Sequence, residues 1–357
     1  MGWSFLNIVI FALLGYSLMF TLFKQQTVKY EKTLQFSLYM LPFIYIFAIY
    51  SCGAIGAYFI GNNKDFIEPL TLIRIIFPLI CAAVIYVSSA ISYGLVANLL
   101  AILCIGATVL LQPIGIGNAF TDISPLAVKF AAAVLGIIYC LYNRIFNILP
   151  HTFIIPNAVI LFGICILGFI GATPVYVALC AALLCGILCA YLYINFYEIK
   201  IELDEGACTA IAYLIYSLLL FNIGEYSFST CIIFTMILWA ELLVALWNKY
   251  IIFRSGRLAE NTDFYLAAQQ YSAPALTFNI LRICLIILFI GWFQLFASNQ
   301  YSLLIVSLLF SLWLCHSLGQ TNSGARSLKE INKEFIKELK HNIAETKEIF
   351  TKNHKDN

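Results

Sequence analysis

The chain has 357 residues, of which 62% are hydrophobic and only 11% are charged, with a formal net charge of +2. The length would allow two soluble domains, but this composition excludes them. No nucleic-acid partner is predicted. Apolar runs of about 18 or more residues recur, which is the length a helix needs to cross roughly 30 Å of hydrocarbon. These runs lack the alternation of barrel strands, so the sequence predicts an all-α polytopic membrane protein.

Eleven candidate transmembrane helices follow one another along the chain. The first lacks a basic n-region and a small-residue cleavage site, so it is predicted to be a retained span rather than a signal peptide. The candidate spans are residues 3–23, 36–60, 72–88, 95–112, 126–142, 153–171, 174–194, 207–222, 229–247, 277–297 and 300–318.

The distribution of positive charge predicts the orientation of these spans. With the N-terminus outside, 17 of the 20 Lys and Arg residues fall on the inner side, and only Lys64, Arg74 and Lys129 fall outside. The positive-inside rule therefore predicts a cytoplasmic C-terminus.

The chain divides into a transmembrane domain, residues 1–320, and a cytoplasmic tail, residues 321–357. Ser327-Leu-Lys-Glu330 fits a helix capping box, and apolar residues then recur at helical spacing. The tail is predicted to form an amphipathic helix. It either lies on the membrane, docks on a protein partner or stays solvated without a partner.

One short loop, residues 195–207, carries much of the charge of the apolar region. It reads Asn195-Phe-Tyr-Glu-Ile-Lys-Ile-Glu-Leu-Asp-Glu-Gly-Ala207, which places four acids and one cation in thirteen residues at a membrane surface. Asp204 is a candidate metal ligand, and the alternative is a structural charge at the start of a helix, where the helix dipole favours acids.

Glu241 lies inside the ninth candidate span, toward its cytoplasmic end. A carboxylate at that depth costs free energy, so it usually faces a bundle interior or a polar cavity. The alternative is a carboxylate that snorkels to the surface or pairs with Lys249.

These features resemble the polyprenyl-phosphate N-acetylhexosamine-1-phosphate transferases, which move a sugar phosphate from a UDP-sugar to undecaprenyl phosphate and are related to the lipid I synthase. Arg144-Ile-Phe-Asn147 is similar to the family's Asn-Ala-Phe-Asn. Residues 195–207 are similar to Asn-Phe-x-Pro-Ala-Lys-Ile-Phe-Met-Gly-Asp-x-Gly-Ser, and Ala240-Glu241-Leu-Leu-Val is similar to Pro-Leu-x-Asp-Thr-Leu. Members of the O-antigen type also have eleven spans and the same orientation.

The resemblance implies a set of site residues and a location. Asp204 and Glu205 would be the catalytic candidates, with Asp204 a ligand to Mg²⁺. Substrate contacts would come from Asn147, Asn195, Lys200 and Glu241. The implied partners are membrane lipids, polyprenyl phosphate and a UDP-sugar. The implied location is the cytoplasmic membrane of a bacterium, and the implied pathway is cell-envelope polysaccharide synthesis.

Several of the family's catalytic positions are changed in this chain. Ser88 and Ser89 stand where an aspartate pair should follow the third span. Pro150-His-Thr-Phe153 replaces Asp-Gly-x-Asp-Gly, and the loop that contains Asp263-Phe-Tyr-Leu-Ala-Ala268 lacks the family's histidines. His151 is either a general base or a helix-cap residue.

Three hypotheses follow. The first is a transferase-like protein without catalytic activity, which binds a lipid carrier or a nucleotide sugar or acts as a scaffold. The second is a divergent active transferase that uses Asp204 and nearby glutamates. The third is a transporter or flippase, with Glu241, Arg282 and Lys129 along its path.

Overall fold

The computed structural model describes eight continuous parts of the chain. They are residues 2–29, 35–61, 69–91, 95–111, 125–145, 150–171, 173–196 and 203–223, together with nine single positions from 235 onward. Within these ranges every regular element is an α-helix.

Eight helices occupy the positions of the first eight candidate spans. They are α1 (Gly2–Lys29), α2 (Gln35–Gly61), α3 (Pro69–Ile91), α4 (Leu95–Leu111), α5 (Pro125–Ile145), α6 (Pro150–Phe169), α7 (Val175–Ile194) and α8 (Glu205–Ile223). The last three candidate spans and the predicted cytoplasmic helix lie outside the described residues, apart from single positions.

Five of the eight helices are long and apolar enough to cross a membrane: α1, α2, α3, α5 and α7. The apolar stretches of α4, α6 and α8 are shorter, at 10–17 residues. The predicted class, a helical membrane protein, is therefore confirmed. The count of eleven spans and the orientation stay predictions.

Helix α7 lies at the centre of the described bundle, packed against α1, α6 and α2. Small residues allow this close approach. A side chain on Gly186 would collide with the backbone of Ala12 and lie 3.1 Å from the backbone nitrogen of Tyr16. Gly15 of α1 lies in the same way against the backbone carbonyl of Leu183. The two helices therefore touch through their backbones.

Helix α8 packs against α3 and α5, and almost every side chain along it is buried. Its hydroxyl groups are hydrogen-bonded within the bundle: Tyr213 pairs with Thr108 of α4, and the Tyr216 hydroxyl donates to the Ala132 carbonyl of α5. A helix surrounded in this way has little freedom to shift, and it fixes the position of Asp204 at its start.

Candidate functional site

Asp204 is the residue immediately before α8 and acts as its N-cap. The backbone N–H of Ala207 donates to Asp204 Oδ1 over 2.8 Å, and the N–H of Cys208 donates to the Asp204 carbonyl over 3.0 Å. Aspartate is favoured at this position because its carboxylate satisfies N–H groups that have no partner inside the helix. Asp204 therefore has the structural role that the sequence offered as one alternative, and its metal role stays a prediction.

The environment of this carboxylate disfavours its charged form. Burial raises the pKa of Asp204 above its ordinary value, and the negative charge of Glu205 acts in the same direction. The hydrogen bond from Ala207 lowers the pKa, but it does not compensate for burial. Glu205 itself is exposed. A partly buried acid that holds its proton unusually well is the kind of group found at functional sites, although structural acids share this property.

The end of α3 lies directly against the start of α8. A Cβ added to Gly206 would lie 2.5 Å from Ser89 Oγ and 2.6 Å from Ser89 Cβ, so only glycine allows this approach. The sequence predicted a loop from residue 88, but α3 continues to Ile91. Ser88 contributes to this extension by donating its hydroxyl to the Ile85 carbonyl over 2.9 Å. The serines that replace the expected aspartate pair therefore lie in the last turns of a helix.

Tyr86 lies one turn deeper in the same corner. Its ring stacks on Phe43 of α2 with 3.8 Å between ring centroids, and its hydroxyl is buried without a hydrogen-bond partner in the described part of the chain. The hydroxyl is close enough to Asp204 for an electrostatic interaction. Together, Tyr86, Ser89, Asp204 and Gly206 form a small polar corner between α3 and α8, which we call the α3–α8 corner.

An apolar groove of about 740 Å³ lies beside the same end of α3. It runs along α3, with walls from α2 and α4, and Ser88 is at its polar end. The residues that line it are Phe47, Ser51, Leu79, Ile80, Ala83, Val84, Val87, Ser88 and Val96. Ser88 borders the groove and its neighbour Ser89 lies against Gly206, so the groove and the α3–α8 corner share the last turns of α3.

Asn195, a predicted substrate contact, ends α7. Its side-chain amide donates to the Tyr191 carbonyl over 3.1 Å, and the residue is almost completely buried. This geometry gives Asn195 a capping role at the start of the charged loop. The other predicted contacts, Asn147, Lys200 and Glu241, lie outside the residues whose side chains are described.

Sequence reasoning missed a buried amide cluster between α5 and α6. Asn157 of α6 accepts the Tyr139 hydroxyl on Oδ1, and its Nδ2 donates to Asn143 Oδ1 over 2.8 Å and to the Phe153 carbonyl over 2.6 Å. Every polar group that takes part is therefore paired, as buried amides require. The available signal was two asparagines, at 143 and 157, within or next to apolar segments.

Metal chemistry at the α3–α8 corner would begin from Asp204. Among the described residues, no three His, Cys, Asp or Glu side chains come together. A Mg²⁺ ion that arrives with a diphosphate needs only one or two protein carboxylates, and Asp204 fits one such ligand. A second carboxylate ligand could come from the nearby glutamates Glu198, Glu202 or Glu205; the first two lie outside the described residues, and Glu205 is exposed.

Lys129, which the transport hypothesis placed along a path, caps another helix. Its Nζ donates to the Leu110 carbonyl over 3.3 Å, at the C-terminal end of α4, where a cation is favoured by the helix dipole. Glu241 and Arg282, its proposed companions, lie outside the described residues, so the path stays a prediction.

Comparison of the chain with protein-family models and with curated proteins finds no match.

Proposed function

We propose that this chain is a membrane-embedded lipid-carrier-binding protein with the architecture of the sugar-1-phosphate transferases and without their transfer activity. The observation that supports the proposal is that the apolar groove and the α3–α8 corner share the last turns of α3, where Ser88 borders the groove and Ser89 lies against Gly206. A prenyl chain fits an apolar groove of this size, and the phosphate that it carries needs a polar end at the membrane surface.

The polar end supplies hydroxyl groups and one partly buried acid. Ser88 borders the groove, and Ser89 and Asp204 both lie close to the position that a Cβ on Gly206 would take. Hydroxyl groups can donate hydrogen bonds to a phosphate, but a serine does not replace a carboxylate in catalysis without an activating base. This chemistry favours binding over transfer.

The binding proposal is tested with the full-length protein in detergent micelles, by native mass spectrometry with polyprenyl phosphate. We expect Val84→Trp, which fills the groove, to reduce lipid binding by about tenfold or more. The matched control is Leu103→Trp, on the exposed face of α4 and outside the groove, which should bind as the wild type does. Equal binding by both variants would contradict the groove assignment.

The absence of transfer activity has its own assay: UMP release from UDP-N-acetylhexosamines in the presence of polyprenyl phosphate and Mg²⁺. No turnover above background is expected. Turnover that Asp204→Asn abolishes would instead establish the second candidate, a divergent active transferase. The observation that favours this alternative is geometric: Asp204, the acid that an active transferase would use, lies at the α3–α8 corner with its Oδ1 held by the Ala207 N–H.

A further inference from the structure

A second polar feature lies at the opposite end of the α3–α8 pair. A cavity with a water-accessible volume of about 20 Å³ is enclosed by α2, α3, α7 and α8. Tyr50, Arg74, Tyr176 and Ser217 are the polar residues among an otherwise apolar lining. Ser217 lies thirteen residues after Asp204, which places the cavity about 20 Å along α8 from the α3–α8 corner.

Arg74 is the charged group of this cavity. Its Nε is buried and has no hydrogen-bond partner among the residues that the structure describes. A buried N–H donor without an acceptor costs free energy, so this Nε–H favours a ligand that accepts its hydrogen bond. The acids within the described ranges, Asp204 and Glu205, both lie at the far end of α8 and do not balance this charge.

We propose that the cavity is a binding site for an anionic phosphate group, held by Arg74. A site with room for about one water molecule accepts a single phosphate oxygen, with the remainder of the group at the mouth. The guanidinium offers Nε–H to that oxygen, and a charge-assisted hydrogen bond to an anion is stronger than a bond to water.

A trapped water molecule is the competing occupant. Water satisfies the Nε–H donor as a neutral acceptor. An anion accepts the same hydrogen bond and adds charge assistance, so it is the stronger partner. The phosphate has two sources, a lipid headgroup at this membrane surface or free phosphate in solution, and both present the same oxygen to Arg74.

The test measures thermal unfolding of the full-length protein in phosphate-free detergent, at constant ionic strength set with sodium chloride. Inorganic phosphate, short-chain phosphatidylglycerol and short-chain phosphatidylcholine are titrated separately. A ligand that binds only the folded state raises the unfolding midpoint as its concentration rises. A midpoint that rises with inorganic phosphate identifies free phosphate as a source. A rise with a lipid alone identifies the headgroup, and either result supports the site.

Variants separate this site from general effects of anions. Arg74→Gln should abolish the response, whereas Lys129→Gln, which removes another cation, should keep it. Should Arg74→Gln fail to fold, Arg74→Lys keeps the charge and removes Nε, and we expect about tenfold weaker binding.

Two results would overturn the proposal. The first is a wild-type midpoint that none of the three probes changes, which would assign the cavity to water. The second is a phosphate response that Arg74→Gln keeps in full, which would show that the anion binds elsewhere on the protein.

Discussion

The contact between Gly206 and Ser89 holds the α3–α8 corner together, and Gly206→Ala tests it directly. Rotation of the Ser89 side chain would relieve the collision with Oγ. It would not relieve the collision with Cβ, which is fixed to the backbone and lies only 2.6 Å from the new methyl group. Carbon atoms pack at about 3.5–4.0 Å, so the two helices must separate by about 1 Å.

The magnitude follows from two opposing effects. Overpacking of this kind costs about 1–3 kcal/mol, whereas alanine stabilises a helix by about 0.5–1 kcal/mol relative to glycine. We expect a net loss of about 1–2 kcal/mol in unfolding free energy. Ser89→Gly removes both colliding atoms, so the double variant should recover at least about 1 kcal/mol of this loss, beyond the sum of the single effects.

Thermal unfolding in detergent micelles, followed with a thiol-reactive dye, provides the assay. Cys208 is buried one turn into α8 and becomes reactive when the helix is released. Gly106→Ala on α4 is the matched control, because an added Cβ there meets nothing within 4 Å. A Gly206→Ala protein as stable as this control, or a double variant with no recovery, would refute the contact.

Three further predictions use the same assay. Gly186→Val should destabilise the protein by about 3 kcal/mol or more, because its side chain meets backbone that cannot rotate away, whereas Gly56→Ala should be neutral or stabilising. Asp204→Asn keeps the N-cap, whereas Asp204→Ala should cost about 1 kcal/mol. Burial raises the pKa of Asp204 above its ordinary value of 3.8, so the folded state favours the protonated carboxyl. The resulting stabilisation is complete below pH 3.8 and is lost as the pH rises through the folded pKa, and Asp204→Asn should remove this pH dependence. Asn157→Ala removes the donor to Asn143 Oδ1 and the acceptor of the Tyr139 hydroxyl, and it should cost about 2 kcal/mol; an unchanged midpoint would contradict the amide cluster.

Hydropathy was sufficient to place the first eight helices, since a long apolar run has few alternatives to a helix in a membrane protein. It could not rank the helices by burial. The apolar windows of α1 and α7 have similar mean hydropathy, 2.1 and 2.4, yet 17% of the first is buried and 72% of the second. The better signal was the run of small residues in α7, with Ala178, Ala182 and Gly186 at intervals of four.

The α3–α8 corner was harder to predict from the chain alone. Topology placed residue 89 and Asp204 on the same side of the membrane, but nothing local indicated that Ser89 would lie against Gly206, 117 residues later. The helical extension of α3 was also missed. The apolar pattern ends near residue 88, whereas the backbone hydrogen bonds continue, and serine side chains can bond to the preceding turn instead of interrupting the helix.

The burial of α8 explains why Asp204 is a useful probe. Thr209 and Ser217 bond back to carbonyls of their own helix over 2.7 Å, and Tyr213 and Tyr216 reach neighbouring helices, so the helix keeps its polar groups paired without facing lipid. Because surrounding helices fix its position, a change from Asp204 to asparagine alters charge and leaves the cap geometry in place. Gly206→Ala does the reverse: it moves the helix and leaves the charge. A ligand that needs the carboxylate responds to the first change, and one that needs the shape of the corner responds to the second.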